Sequence, residues 1–207
     1  MKILKNLSFE KLKKQAENFK VEKNDSESSY IKTYPEFINY FKDLKEITEH
    51  NLIISSHFVY GWMPTIINLR LENKDRVLQL LNQVKKGHLL IESELEEIKK
   101  AINNSMVGLS KLLHFINPEI YAIWDSRIYR YLTENKTAYG IGKINLYLEY
   151  IEGLKKIASS DGFNEFYNKI SNVVGYKISS NRAIELVMFE ADKKHQKTLK
   201  LEAIKTE

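Results

Sequence analysis

The segment from Val107 to Leu132, VGLSKLLHFINPEIYAIWDSRIYRYL, sets an acid and a base inside an otherwise apolar stretch. Asp125 follows Ile120, Tyr121, Ile123 and Trp124. A carboxylate with this much apolar surface around it must be paired, hydrogen-bonded or used in chemistry, because burying a bare charge is prohibitive. It also precedes Ser126-Arg127, which reads as the opening of a helix, so Asp125 has the place of an N-cap. The two roles are compatible.

A second cluster, His57-Phe58-Val59-Tyr60-Gly61-Trp62-Met63-Pro64-Thr65, packs aromatic and turn-forming residues together. Gly61 and Pro64 fix a chain path around Trp62, and Tyr60 or His57 can offer a polar edge to a ligand. A hinge between two helical lobes accounts for the same residues. Gly140-Ile141-Gly142-Lys143 leads into another helix, where free backbone N–H groups can meet a phosphate, with Lys143 beside them. It lacks the full P-loop pattern, and an ordinary turn explains it equally well. Arg127, Arg130 and Arg182 are further candidates for phosphate contacts, Arg182 because it follows the Ser179-Ser180-Asn181 turn. Metal chemistry finds no ligand set: the five histidines are scattered, no His-Glu-x-x-His occurs and cysteine is absent. His114, on an apolar stretch, reads as a satisfied core residue. No Gly-x-Ser-x-Gly elbow supports a serine hydrolase.

Helical periodicity supplies the elements that must hold these groups. Phe9, Leu12, Ala16 and Phe19 predict a first helix, and the polar run from Glu22 to Ser29 a loop. Pro35 suits the first turn of the next helix, whose apolar side carries Phe37, Phe41, Leu44 and Ile47. Asn73 opens a helix that ends near Gly87, and Ser93 with Glu96 has the spacing of a capping box. Leu112, Leu113, Phe115 and Ile116 form the buried side of a helix ending at Asn117-Pro118. Further helices are predicted over 144–158, 163–173 and 181 to about 197, with strand-like options only near 51–59 and 121–124. The expected fold is all-α, a compact helical protein.

At 207 residues, without a Pro-, Gly- or Ser-rich linker, the expectation is one helical domain spanning residues 1–207. Two packed lobes meeting near 57–65 are the alternative organisation. The absence of cysteine excludes disulfides, an iron–sulfur cluster and a thiol nucleophile. No apolar run approaches the roughly 20 residues a bilayer crossing needs, and lysines interrupt the N-terminal stretch before a signal-peptide core develops. The expected location is cytoplasmic, without a membrane partner and without a cofactor. The net charge of +5 admits a polyanionic partner.

Met106-Val107-Gly108-Leu109-Ser110-Lys111, with Trp124-Asp125-Ser126-Arg127-Ile128-Tyr129-Arg130-Tyr131-Leu132 further on, resembles a degenerate helix-hairpin-helix core of the DNA glycosylase superfamily over residues 105–132. The resemblance implies a glycosylase-like core over about 93–175, DNA as the partner and Asp125 as the central acid. It makes Gly108 part of the DNA-contacting hairpin, while Arg127, Lys143 and Arg182 are the nucleic-acid contacts expected from their own positions. Met106 stands where the first hairpin glycine is expected and Ser105 where the proline would be, which implies an altered turn. In lysine-bearing members the nucleophile lies two positions after the second glycine, which is Ser110 here, with Lys111 next. Adjacent helical residues point about 100 degrees apart, so one of the two faces a pocket. With Ser110 there, the protein would resemble members that use only the aspartate; with Lys111 there, the lyase-competent ones. Asp125 would stabilise positive charge on the sugar or activate water, and a desolvated Lys111 would attack the sugar carbon. A flipped base would lie between Trp124 and Trp62, with Tyr60 and His57 at its edge. The alternative is a non-catalytic helical module that binds nucleic acid or protein.

Overall fold

The computed structural model describes residues 4, 6–21, 29–61, 67–135 and 137–205. Every regular element among them is a helix: α1 Phe9–Ala16, α2 Ser29–Asp43, α3 Glu49–Gly61, α4 Lys74–Lys85, α5 Glu92–Ala101, α6 Met106–Ile116, α7 Ser126–Thr133, α8 Ile144–Ala158, α9 Phe163–Val174 and α10 Ser180–Lys205. The fold is all-α, as periodicity predicts. One isolated bridge, Leu69 to Ile102, is the β-type pairing among the described residues. No helix among them is long and apolar enough to cross a membrane.

Two of these helices organise the rest. Every residue of α6 from Gly108 to Ile116 is buried, and α2, α3, α4 and α5 pack around it. A helix apolar on all sides belongs in the middle of a bundle. The first half of α10, from Asn181 to Met188, is equally buried, and it packs against α1, α7, α8 and α9. The two groups join through α5 against α8, a Tyr30–Glu190 hydrogen bond of 2.8 Å, and one continuous apolar core running from Leu4 to Met188.

Three local expectations are corrected. Residues 51–59 are helical, not strand-like, because Leu52, Ser55, Ser56, Val59 and Tyr60 are buried at helical spacing. The helix is also fixed at its start by Thr48, whose N–H donates to Asn51 Oδ1 at 3.0 Å while its hydroxyl accepts from the Asn51 N–H at 3.4 Å. Pro35 sits inside α2, not in its first turn. Proline there deprives the Ile31 carbonyl of its intrahelical donor, and the Tyr176 hydroxyl replaces it at 2.9 Å. The capping position of α5 is Ile91 rather than Ser93, with the Ile91 N–H donating to Glu94 Oε2 at 3.1 Å. Gly87 ends α4 as expected. With φ +97, it lets its own N–H reach Val84 O and the His88 N–H reach Gln83 O, which closes a Schellman turn.

The connection from α5 to α6 is four residues, 102–105. Asn103 and Asn104 both take left-handed φ, +54 and +51, a region that asparagine tolerates better than most side chains. Ser105 then caps α6, accepting from the Gly108 N–H at 3.2 Å. The sharp turn therefore lies at the two asparagines; Met106 is already helical. The segment before α4 pins this turn: Asn103 N donates to Asn68 O, and Arg70 N to Ala101 O.

Candidate functional site

Residues 121–124, between α6 and α7, are buried and belong to no helix or strand, so their carbonyls need side-chain donors. Each has one. His114 Nδ1 binds Tyr121 O at 2.7 Å, Tyr147 Oη binds Ala122 O at 3.0 Å, and Tyr150 Oη approaches Ile123 O at 3.4 Å. Ser110 Oγ lies 3.2 Å from Trp124 O and accepts from the Trp124 N–H at 3.0 Å. His114 must donate through Nδ1, so its Nε2 accepts from the Tyr34 hydroxyl at 2.8 Å. Complete burial, and then the nearby Arg182 charge, push this imidazole down to about 3, so it is neutral.

This strap ends at Asp125. Its Oδ1 accepts from the N–H groups of Arg127 and Ile128 at 2.9 and 3.0 Å, making it the N-cap of α7. The capping role is thus realised, and it engages only one carboxylate oxygen. Lys111 shares the same electrostatic neighbourhood. It is 8% exposed and forms no ion pair among the described residues. Burial pulls its ammonium below the usual lysine range, against the opposing pull of Asp125 and Glu185. Desolvation of an amine favours its free-base form, the form able to act as a nucleophile.

Two members of this cluster, Arg182 and Glu185 on α10, are fully buried and ion-paired through Arg182 Nη1 and Glu185 Oε2. Burial pushes the Glu185 carboxyl up to about 7, although Arg182 pulls the other way. The Arg182 guanidinium lies 4.6 Å from the Tyr34 ring centre, and its Nε and Nη2 have no hydrogen-bond partner among the described residues. The reading of Arg182 as a surface phosphate contact is therefore corrected: it is an interior charge. Glu185 was not singled out in the sequence, although a Glu three residues after an Arg within Ala183, Ile184, Leu186, Val187 and Met188 is a legible sign of a buried pair.

The other sequence candidates separate. Trp124 has no exposed surface, donates from Nε1 to Ile141 O at 2.9 Å, and packs among Tyr129, Tyr147 and Tyr150. It is a core residue, so a base-stacking role would require repacking. Ser110 likewise faces the backbone of the strap. Tyr60, near the end of α3, lies on Gly108, where a Cβ would come within 2.7 Å of its ring carbon Cζ. It thereby approaches the α5–α6 turn through Ser105 and Asn103. His57 is exposed, its Nδ1 2.7 Å from Ile53 O, and does not join the cluster. Trp62 lies outside the described residues. Arg127 is partly exposed, 3.8 Å from Asp192 and over the Phe189 ring, while Lys143 is exposed ahead of α8. Arg130 is held by the buried Asp192 at 2.7 Å, which makes it structural.

A groove of about 560 Å³ opens beside the α5–α6 turn, with Arg70, Arg76, Lys100 and Asn104 among its walls. Arg76 is engaged by Glu94 and Glu97 at 3.5 and 3.2 Å. Glu72 and Glu97 share the lining with Arg70, Arg76 and Lys100, so cationic side chains outnumber carboxylates there by three to two, and Arg70, Lys100 and Glu72 form no ion pair among the described residues. Arg70 and Lys100 were missed because neither lies in a recognisable motif; the turn brings them together. Among the described residues no group of histidine, aspartate or glutamate side chains could hold a metal ion. No protein family matches the chain, and no curated protein or solved structure does either.

Proposed function

We propose that this protein is a helix-hairpin-helix glycosylase-like protein that binds duplex DNA and cleaves the N-glycosidic bond of an extruded base. The observation that carries the reading is Lys111, buried without an ion pair among the described residues one helix turn beyond Gly108, its ammonium disfavoured by burial and favoured by the Asp125 charge. The α5–α6 turn, with its paired left-handed asparagines, supports it as the hairpin, and the Arg70–Lys100 groove beside that turn suits a phosphate backbone. Asp125, with one carboxylate oxygen free of the α7 cap, supports positive charge on the sugar as the base leaves. Lys111 attacks the sugar carbon once its proton is lost. Ser110 holds the strap that positions Asp125, which leaves Lys111 as the group of the pair directed to chemistry.

The complete burial of Trp124 favours a second reading, a DNA-binding module without catalysis, because a stacking surface for a flipped base is missing from that position. Base release from duplexes bearing single deaminated, alkylated or oxidised bases separates the two. The glycosylase reading expects release from at least one lesion, abolished in Asp125→Asn with binding retained. Binding with no release across the whole panel supports the module instead.

A further inference from the structure

By its place in the sequence Arg127 is a candidate phosphate contact, yet its guanidinium has a different setting in the fold. The residue sits in the first turn of α7, where its own N–H donates to Asp125 Oδ1 at 2.9 Å, and its side chain reaches across to α10. There the guanidinium lies over the Phe189 ring, 5.1 Å from the ring centre, with Nη1 3.8 Å from Asp192 Oδ2. Asp192 is buried and already binds Arg130 through two bonds, at 2.7 and 3.3 Å, so it restrains Arg127 by charge rather than by a hydrogen bond. A guanidinium opposed by a buried carboxylate has less charge to offer a phosphate, but its flat face remains. Of the Arg127 side chain, 34% is exposed.

Phe189 is the first residue of α10 after the buried run 181–188 to reach the surface. Its second aromatic neighbour is Tyr30, at the start of α2, with ring centres 5.4 Å apart and planes tilted by 57°. The Tyr30 hydroxyl donates to Glu190 Oε1 at 2.8 Å, and Glu190 is itself buried, which fixes the Tyr30 ring. Three planar groups from three helices are thus held together, each partly exposed, within one turn of Asp125. Aromatic faces and guanidinium planes are the surfaces on which unpaired bases stack.

We propose that Arg127, Phe189 and Tyr30 form a stacking platform for one unpaired base of DNA. Phe189 backs the guanidinium, Tyr30 buttresses Phe189, and the base lies on the face of the guanidinium turned away from Phe189. This rests on the reading of the protein as DNA-binding, and it supplies the stacking surface that the wholly buried Trp124 does not. Stacking depends on the plane rather than the charge, so a lysine at position 127 cannot replace the arginine.

The test compares the affinity of the full-length protein for two labelled duplexes with the same phosphates, one with a single bulged adenine and the other with a tetrahydrofuran abasic residue at that bulge. The unaltered protein is expected to prefer the adenine bulge by at least about fivefold, the low end for one stacked base. Arg127→Lys is expected to abolish this preference and Phe189→Leu to reduce it, whereas Phe189→Tyr, which keeps a ring, retains it. A phosphate contact at Arg127 predicts that the preference survives Arg127→Lys, and a purely structural role predicts that both duplexes weaken together as Tm falls. Either result overturns the proposal. Should Phe189→Leu fail to fold, Arg127→Lys and Phe189→Tyr decide the matter by the same comparison. Tight binding of both duplexes without preference removes the platform and leaves the DNA-binding reading standing, while no binding of either at low salt removes both. A preference that depends on Arg127 in a protein that releases no base keeps the platform and removes catalysis alone.

Discussion

Replacing Ser110 by alanine tests the strap that carries Asp125. The hydroxyl has one proton, so it donates to Val107 O or Trp124 O, at 2.9 and 3.2 Å, while accepting from the Trp124 N–H at 3.0 Å. Alanine nearly matches serine in volume, so packing changes little. What is lost is the acceptor for a backbone N–H on a residue with no exposed surface. An orphaned buried donor costs about 1–3 kcal/mol. At about 2–4 °C per kcal/mol for a chain of this size, Tm should fall by about 2–12 °C. Urea unfolding supplies the free energy, with an unchanged slope showing that the extent of unfolding is the same. Ser159→Ala is the control, because its hydroxyl also bonds a carbonyl, Lys155 O at 3.1 Å, but on the surface. Its effect should stay within about 0.5 kcal/mol. If Ser110→Ala is as mild as Ser159→Ala, side-chain satisfaction of residues 121–124 is not what holds Asp125 in place.

Three further outcomes follow from particular contacts. His114 is neutral in the fold, its pKa lowered from 6.5 to about 3, so the unfolded chain gains a proton first as pH falls. The stability of the unaltered protein relative to His114→Gln should therefore be full above 6.5 and decline as pH drops from 6.5 toward 3; pH-resolved denaturation showing a constant difference would refute this. Tyr176→Phe should cost about 1 kcal/mol by stripping the donor from Ile31 O, and less in a Pro35→Ala background where the helix regains its own N–H, as a double-mutant cycle would measure. Arg70→Ala and Lys100→Ala should each flatten the salt slope of duplex binding by about one unit without altering Tm appreciably, read by titrating a labelled duplex at several salt concentrations.

The helical fold was legible because its apolar periodicity is strong, and the boundaries at Asn73, Gly87, Asn117-Pro118 and Asp125 carry explicit capping or breaking residues. Pro35 was misplaced because the donor that rescues Ile31 comes from Tyr176, far along the chain, which no local pattern records. The same reason hides the roles of Ser110, which accepts from the Trp124 N–H, and of His114, Tyr147 and Tyr150, each of which satisfies one carbonyl of a segment that sequence shows only as apolar. Asp125 and Lys111 could be picked out because a charge in an apolar run is locally visible. Arg182 was picked out for its turn and given the wrong environment, since burial depends on which helices surround α10. Arg70 and Lys100 become neighbours only when the α5–α6 turn is built against the chain before α4.

The most direct measurement of the central claim is borohydride trapping on a duplex with one abasic site, followed by peptide mapping of the adduct. The account predicts a covalent complex through Lys111, formed through the open-chain aldehyde of the sugar and absent in Lys111→Ala while duplex binding persists. No trapped complex, or one that maps to an exposed lysine and survives Lys111→Ala, would contradict it.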